Sequence, residues 1–292
     1  MPSDSSKEQC SSDVRSIWNS IADAPVLKAG SLYAALHVIA AAAVRHKLDP
    51  SSLSRSDRIF LAEKLPSTVS AFLTAVPSIV LHSRLPWRND LITPYPRLLD
   101  RILAQHIGYT LYDLAIMAYA GGQHPTAWIH HILGILGTAL MRHYRTAAYF
   151  PAVFLPTEIT VVSTNFLWIL QKLGKDDGKA FSWALVLRAI LFCLVRAPAG
   201  TIGLIYALRV VRRQKAAAEA KNSVTASSQA EVQPQRATTP GTLWQQLRQT
   251  PTVVWSLTTI NVLSFTALNF YWTKLVLVAV KRHRHRGRVH HI

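Results

Sequence analysis

Acidic residues are scarce in this chain, with 15 Asp and Glu against 32 Lys and Arg. Charge of either sign is scarce as well, at 16% of residues where ordinary soluble domains carry about 25%. Cysteine is nearly missing. Cys10 lies in a polar stretch and Cys193 in an apolar one, which excludes a disulfide framework and a thiolate metal site. The first 28 residues have no apolar core of the kind a cleavable signal peptide needs, so the first apolar block is the expected targeting signal. What the chain does have is hydrophobic residues, 50% of its 292, and a mean hydropathy of +0.17 despite polar ends. They are gathered in long blocks with the charges between them. This segregation excludes a disordered chain, argues against a soluble globular enzyme and reads as an all-α, polytopic membrane bundle.

A net charge of +17 raises nucleic acid as a partner. A nucleic-acid binder concentrates Lys and Arg on a soluble module, whereas here they sit in short loops beside apolar blocks. Topology and contact with anionic headgroups account for them better, and no nucleic acid is expected. Seven blocks can be traced: 29–44, 66–81, 102–120, 126–141, 149–170, 180–208 and 252–280. A hydrocarbon core about 30 Å thick takes about 20 residues of helix, so the short blocks must extend into their flanks, and six or seven spans are expected. Pro77 predicts a kink and Gly121-Gly122 a break. Lys and Arg divide almost evenly between the two sides, so the positive-inside rule leaves the orientation open. The polar, Ala/Ser/Thr/Gln-rich segment 214–241 reads as a disordered loop. The expected organisation is a polar tail (1–28), a first span with a basic loop (29–57), a main domain (58–281) containing that loop, and a basic His-rich tail (282–292).

An ionisable group inside a span costs about 2.5–3.5 kcal/mol on insertion scales, so each one needs a reason. Between Arg101 and Lys172 the only acids are Asp113 and Glu158, both within apolar blocks. His106, Tyr109 and Asp113 recur at spacings that share a helical face. The next block carries His130-His131, followed by Gly134 and Gly137, which would let another helix approach closely. Glu158 and Asn165 share a face of the fifth block, and Arg188 and Arg196 punctuate the sixth. These groups are expected to converge on a polar chamber. Simpler readings stand beside that one. Either arginine could only neutralise Asp113 or Glu158. His106 and His124 fit an interfacial position, and His130-His131 could merely bond between helices. Glu158, after Pro156, could cap a local break, and Trp168 and Trp183 read as interface anchors. The intramembrane histidines are too few for a di-iron site, and no metal or resident cofactor is expected.

Three runs carry a resemblance: Gly108-Tyr-Thr-Leu-Tyr-Asp113-Leu, His130-His131-Ile-Leu-Gly-Ile-Leu-Gly137, and Pro156-Thr-Glu158-Ile-Thr160 with Asn165-Phe-Leu-Trp168. Together they resemble the TLC domain, the membrane domain shared by TRAM, LAG-type ceramide synthases and CLN proteins. The resemblance covers about Arg58 to Lys281. It implies that His130 and His131 match the paired histidines of ceramide synthases, which join a fatty acyl group from acyl-CoA to a sphingoid base. An imidazole there would take the amine proton or accept the acyl group, with Asp113 or Glu158 orienting it.

The chain departs from those enzymes in the span after the pair. They carry a further His-Asp and a second Asp, whereas PAVFLPTEITVVSTNFLWIL has Glu158 as its only acid. That looks closer to the smaller TLC-domain-containing (TMEM-type) proteins, which are associated with membrane lipid composition. The expected function is therefore handling of lipid acyl chains in the endoplasmic reticulum or connected endomembranes. The alternative is an acyl-CoA-dependent sphingoid-base N-acyltransferase. The residues expected to carry chemistry are His130, His131, Asp113 and Glu158, with His106, Tyr109, Asn165, Arg188 and Arg196 around the chamber. Membrane lipids are the expected partners, with acyl-CoA and a sphingoid base added under the alternative; a homo-oligomer is compatible with the sequence.

Overall fold

The computed structural model describes residues 17–47, 53–85, 95–228 and 252–289, and every regular element among them is helical. Helix α1 spans Ala24–Lys47, α2 Arg55–Arg84, α3 Arg97–Ala120 and α4 Pro125–Tyr144. The fifth rod is composite, made of α5 (Tyr149–Phe154), a 3-10 turn (Leu155–Ile159) and α6 (Thr160–Lys172). The sixth joins α7 (Lys179–Leu191) through a π turn (Phe192–Arg196) to α8 (Ala197–Ser228), and α9 is Thr252–Val289. Each of the seven apolar blocks thus became one rod, longer at its ends than the apolar run. Helix α8 continues to Ser228, so 214–228 is helical where a loop was expected, and the remainder of that segment lies outside the described residues. Cys10 and most of the polar tail also lie outside them.

Local chemistry sets the ends. Ser54 Oγ accepts the Asp57 N–H at 3.0 Å and caps α2. Gly121 and Gly122, at φ of 69° and 77°, supply the left-handed backbone that ends α3. His124 Nδ1 accepts the Thr126 N–H, and Pro125 opens α4 with its fixed φ. His124 is therefore an exposed helix cap. Helix α2 runs on through Pro66 and Pro77.

Beside the buried apolar core, many large apolar side chains face outward and many polar ones are buried. Val38 and Leu194 face outward at 68% and 72% exposure, while Thr74, Ser78, Thr160 and Asn269 are fully or almost fully buried. Apolar side chains outside and polar ones inside is what hydrocarbon surroundings select. Among the described residues five segments are long and apolar enough to cross a membrane: Ile17–Lys47, Arg55–Arg84, Tyr149–Lys172, Lys179–Ala217 and Val254–His285. Helices α3 and α4 stand among them and are less apolar because they carry the inward-facing His106, Asp113, His130 and His131. The chain is an integral membrane protein.

The rods close into a ring. Helix α2 packs on α6, α6 on α7, α7 and α8 on α9, α9 on α4, α4 on α3, and α3 back on α2. Helix α1 lies outside that ring, in the groove between α2 and α3. Gln105 donates to Tyr33 Oη at 2.8 Å, and His37 Nδ1 lies 2.6 Å from Tyr112 Oη, so polar contacts hold α1 to α3. At one end of the ring Leu81, Leu99, Leu103, Met141, Tyr149 and Val210 form an apolar plug. Arg142 stands at the same end and ties Asp23 (2.6 Å), Asp100 (3.2 Å) and the Ser20 carbonyl (2.9 Å) together. Tyr95 donates to Asp100 there at 3.2 Å; burial and that carboxylate hold its phenol above the ordinary range.

Helices α1 and α3 touch backbone to backbone at Gly30 and Gly108. A Cβ on Gly108 would sit 2.6 Å from the Val26 carbonyl oxygen and 2.9 Å from Gly30 N, neither of which can turn aside. Replacing Gly108 by Ala is expected to destabilise the protein by about 1–3 kcal/mol through overpacking. Gly178→Ala, whose new Cβ would meet only an ordinary contact at 3.9 Å, is expected to change little. Thermal unfolding of the two variants in the same detergent checks the difference.

Candidate functional site

Away from the plug, the ring encloses a polar chamber of about 270 Å³. Each rod of the ring turns a polar face toward it. Helix α2 supplies Glu63, Ser67, Ser70 and Thr74, at helical spacing and all buried. Helix α3 supplies His106, Tyr109 and Asp113, the face that their spacing indicated. Helix α4 supplies His130 and His131, the fifth rod Glu158 and Thr164, the sixth Arg188 and Arg196, and α9 Trp272.

The dominant contacts join ionisable side chains to partners, most of them on another helix. His131 Nε2 lies 2.9 Å from Asp113 Oδ2, joining α4 to α3. A carboxylate only accepts, so Nε2 carries the proton and Nδ1 is left as the acceptor of the neutral ring. Arg196 Nη2 stands 3.6 Å from Glu158 Oε1. Its Nε donates to Asn269 Oδ1 at 3.0 Å and its Nη1 to Thr160 Oγ1 at 2.8 Å. One guanidinium therefore binds the sixth rod to the fifth and to α9, with Trp272 and Phe192 against its face. Glu63 accepts from Lys64 Nζ at 2.8 Å and from Tyr109 Oη at 3.1 Å. Every acid lining the chamber has a partner.

The two histidines differ although they are adjacent. His131 is held by a carboxylate. His130 packs edge-on against Phe265 and Trp272, with ring centroids 5.0 and 5.1 Å away, and its buried Nδ1 has no hydrogen-bond partner among the described residues. His130, His106 and Glu158 also line a second space, a narrow cleft of about 50 Å³ walled by Met141, Phe150, Phe154, Leu155 and Phe265. The chamber and the cleft thus meet at three residues, with polar groups on one side and aromatic and aliphatic ones on the other.

Most residues singled out from the sequence gather here. His130, His131, Asp113, Glu158, His106, Tyr109, Arg188 and Arg196 line the chamber. Asn165 does not; its Nδ2 donates to Thr68 Oγ1 at 3.1 Å and fastens α6 to α2. His106 faces inward, not toward an interface. The ion pair considered for the arginines forms between Arg196 and Glu158, so Glu158 is not free to serve His131. Among the described residues no group of three or more His, Cys, Asp or Glu is placed to hold a metal ion. Two contributors escaped the sequence reading. Glu63 was hidden in a basic loop, although Glu63, Ser67, Ser70, Thr74 and Ser78 form a helical stripe. On α9, Asn261, Phe265, Asn269 and Trp272 recur every three or four residues and point one face at the site.

Residues 61–278 match the family model of the TLC domain. No curated protein and no solved structure matches the chain.

Removing one member of a buried ion pair leaves the other uncompensated, which costs about 3–5 kcal/mol. Arg196→Met is expected to lower stability on that scale, because Glu158 and Asn269 lose their partner together. The double variant Arg196→Met/Glu158→Gln is expected to lose clearly less than the two single losses combined. A double-mutant cycle of unfolding free energies in detergent checks the coupling.

Proposed function

This chain belongs to the TLC-domain family, and we propose that it binds an acyl-bearing lipid inside its helical ring, with the polar end in the chamber and the chain in the cleft. One observation carries the reading: polar chamber and apolar cleft meet at His106, His130 and Glu158. An amphipathic lipid needs such a divided surface, with polar partners for one end and aromatic and aliphatic walls for the other. Through that binding the protein adjusts membrane lipid composition, in the endoplasmic reticulum or connected endomembranes.

A second reading, acyl-CoA-dependent N-acylation of a sphingoid base, is favoured by the His131–Asp113 pair. Asp113 fixes the tautomer that leaves His131 Nδ1 as a base. The amine nitrogen would attack the thioester carbonyl and give its proton to Nδ1. The C–N bond forms, the C–S bond breaks, and the coenzyme leaves as a thiolate that recovers the proton from the imidazolium. Asp113 would stabilise that imidazolium. His130 lies between Phe265 and Trp272 and has no carboxylate among the described residues to orient it.

Two experiments separate these readings. A Cβ on Gly134 would meet His106 and Phe265 only at 3.7 and 3.9 Å, so a larger side chain there enters the cleft with little strain. Gly134→Leu is expected to fold normally and to weaken binding of a labelled long-chain acyl lipid to the purified protein at least tenfold. Unchanged affinity would contradict the cleft as the acyl site. In microsomes lacking other ceramide synthases, N-acylation of sphinganine that disappears in both His131→Ala and Asp113→Asn would establish the transferase. Absence of product with wild type across several chain lengths would reject it while leaving lipid binding intact.

A further inference from the structure

Each carboxylate lining the chamber is already in contact with a partner. Glu63 is met by Lys64, Asp113 by His131 and Glu158 by Arg196. Arg188 is left over. Among the described residues it has no carboxylate partner and its buried Nε makes no hydrogen bond, and its guanidinium rests on the face of Phe192, 5.3 Å from the centroid. It nevertheless lines the chamber.

Its position depends on the π turn. An α-helix turns about 100° per residue, so Arg188 and Arg196 would stand about 80° apart around a regular helix. The extra residue of the π turn Phe192–Arg196 takes up about one such step and brings them to within about 20°. Both guanidiniums then flank Phe192 and face the same space. Two like charges on one helix face repel, and a cation in a membrane bundle with no anion in direct contact is costly. That arrangement favours the entry of an anion.

We propose that Arg188 receives the oxyanion head of the bound lipid, a phosphate or a carboxylate, so that the chamber selects anionic acyl lipids over neutral ones. The proposal rests on the lipid-binding reading above and adds the charge of the ligand. The guanidinium offers parallel N–H donors to two oxygens of either group, and Nε is one of the donors still unused.

Binding to the purified full chain is to be measured with three ligands of equal chain length: a lysophosphatidate, a fatty acid and a neutral monoacylglycerol. Wild type is expected to prefer at least one anionic ligand to the neutral one by tenfold or more. Arg188→Gln should abolish that preference by weakening the anionic ligand far more than the monoacylglycerol, and Arg188→Lys should keep part of it. The phosphate and carboxylate arms identify which head is taken. The unfolding temperature of ligand-free Arg188→Gln should equal or exceed that of wild type, because a cation that faces Arg196 and touches no anion has been removed. The proposal is overturned if the variant loses all three ligands equally, if it keeps the anionic preference, or if its ligand-free form is less stable than wild type. Failure of wild type to bind any of the three would instead reject the lipid-binding reading beneath it.

Discussion

A charged side chain in hydrocarbon needs an opposite charge or a hydrogen-bond partner, and the interior of this bundle is arranged around that requirement. The meetings are made between helices. Asp113 with His131 joins α3 to α4, and Glu63 with Tyr109 joins α2 to α3. Arg196 joins three rods at once through Glu158, Thr160 and Asn269. Apolar packing cannot select these neighbours, because lipid tails satisfy a leucine as well as another helix does. Polar contacts between rods are therefore what define the ring, and the chamber is the space around which those contacts are strung. Structure and candidate chemistry share one set of residues.

Irregular backbone appears where that chamber needs it. The 3-10 turn Leu155–Ile159 carries Glu158, and the π turn Phe192–Arg196 carries Arg196. The two form an ion pair across the ring. In a membrane helix, departures from the α ladder are tolerated beside protein or a cavity and not against lipid. Each turn also re-aims its side chain without ending the rod. Close backbone approaches do the complementary work elsewhere. Gly137 accommodates Asn261, which donates to the Leu133 carbonyl at 2.6 Å, and Gly200 accommodates Thr266.

The sequence disclosed the class of fold through its apolar blocks, and the expensive residues inside them disclosed most of the site. Asp113 and His131 were legible because an ionisable group within an apolar run is expensive and so needs a partner. Pairing was not legible: Asp113 and Glu158 were equal candidates to orient a histidine until Arg196 was seen to hold Glu158. Asn165 had the right spacing relative to Glu158, yet the 3-10 turn between them breaks the α period on which that spacing argument relied. The π turn hid the relation of Arg188 to Arg196 for the same reason. Glu63 was obscured by a different cause, since its neighbours Arg58 and Lys64 made the start of α2 look like a loop. Helix 214–228 is a case of composition misleading in the other direction, because Ala-rich polar sequence is compatible with a helix that continues from a membrane span.

The account stands or falls on an acyl chain lying inside the ring. The most direct measurement is photo-crosslinking of the purified protein with a fatty acyl lipid that carries a diazirine near the end of its chain, followed by peptide mapping. The account predicts labelling on the cleft walls, at Phe150, Phe154 and Phe265. Labelling confined to outward residues such as Val38, Leu194 and Leu263 would contradict it and leave the chamber without a lipid.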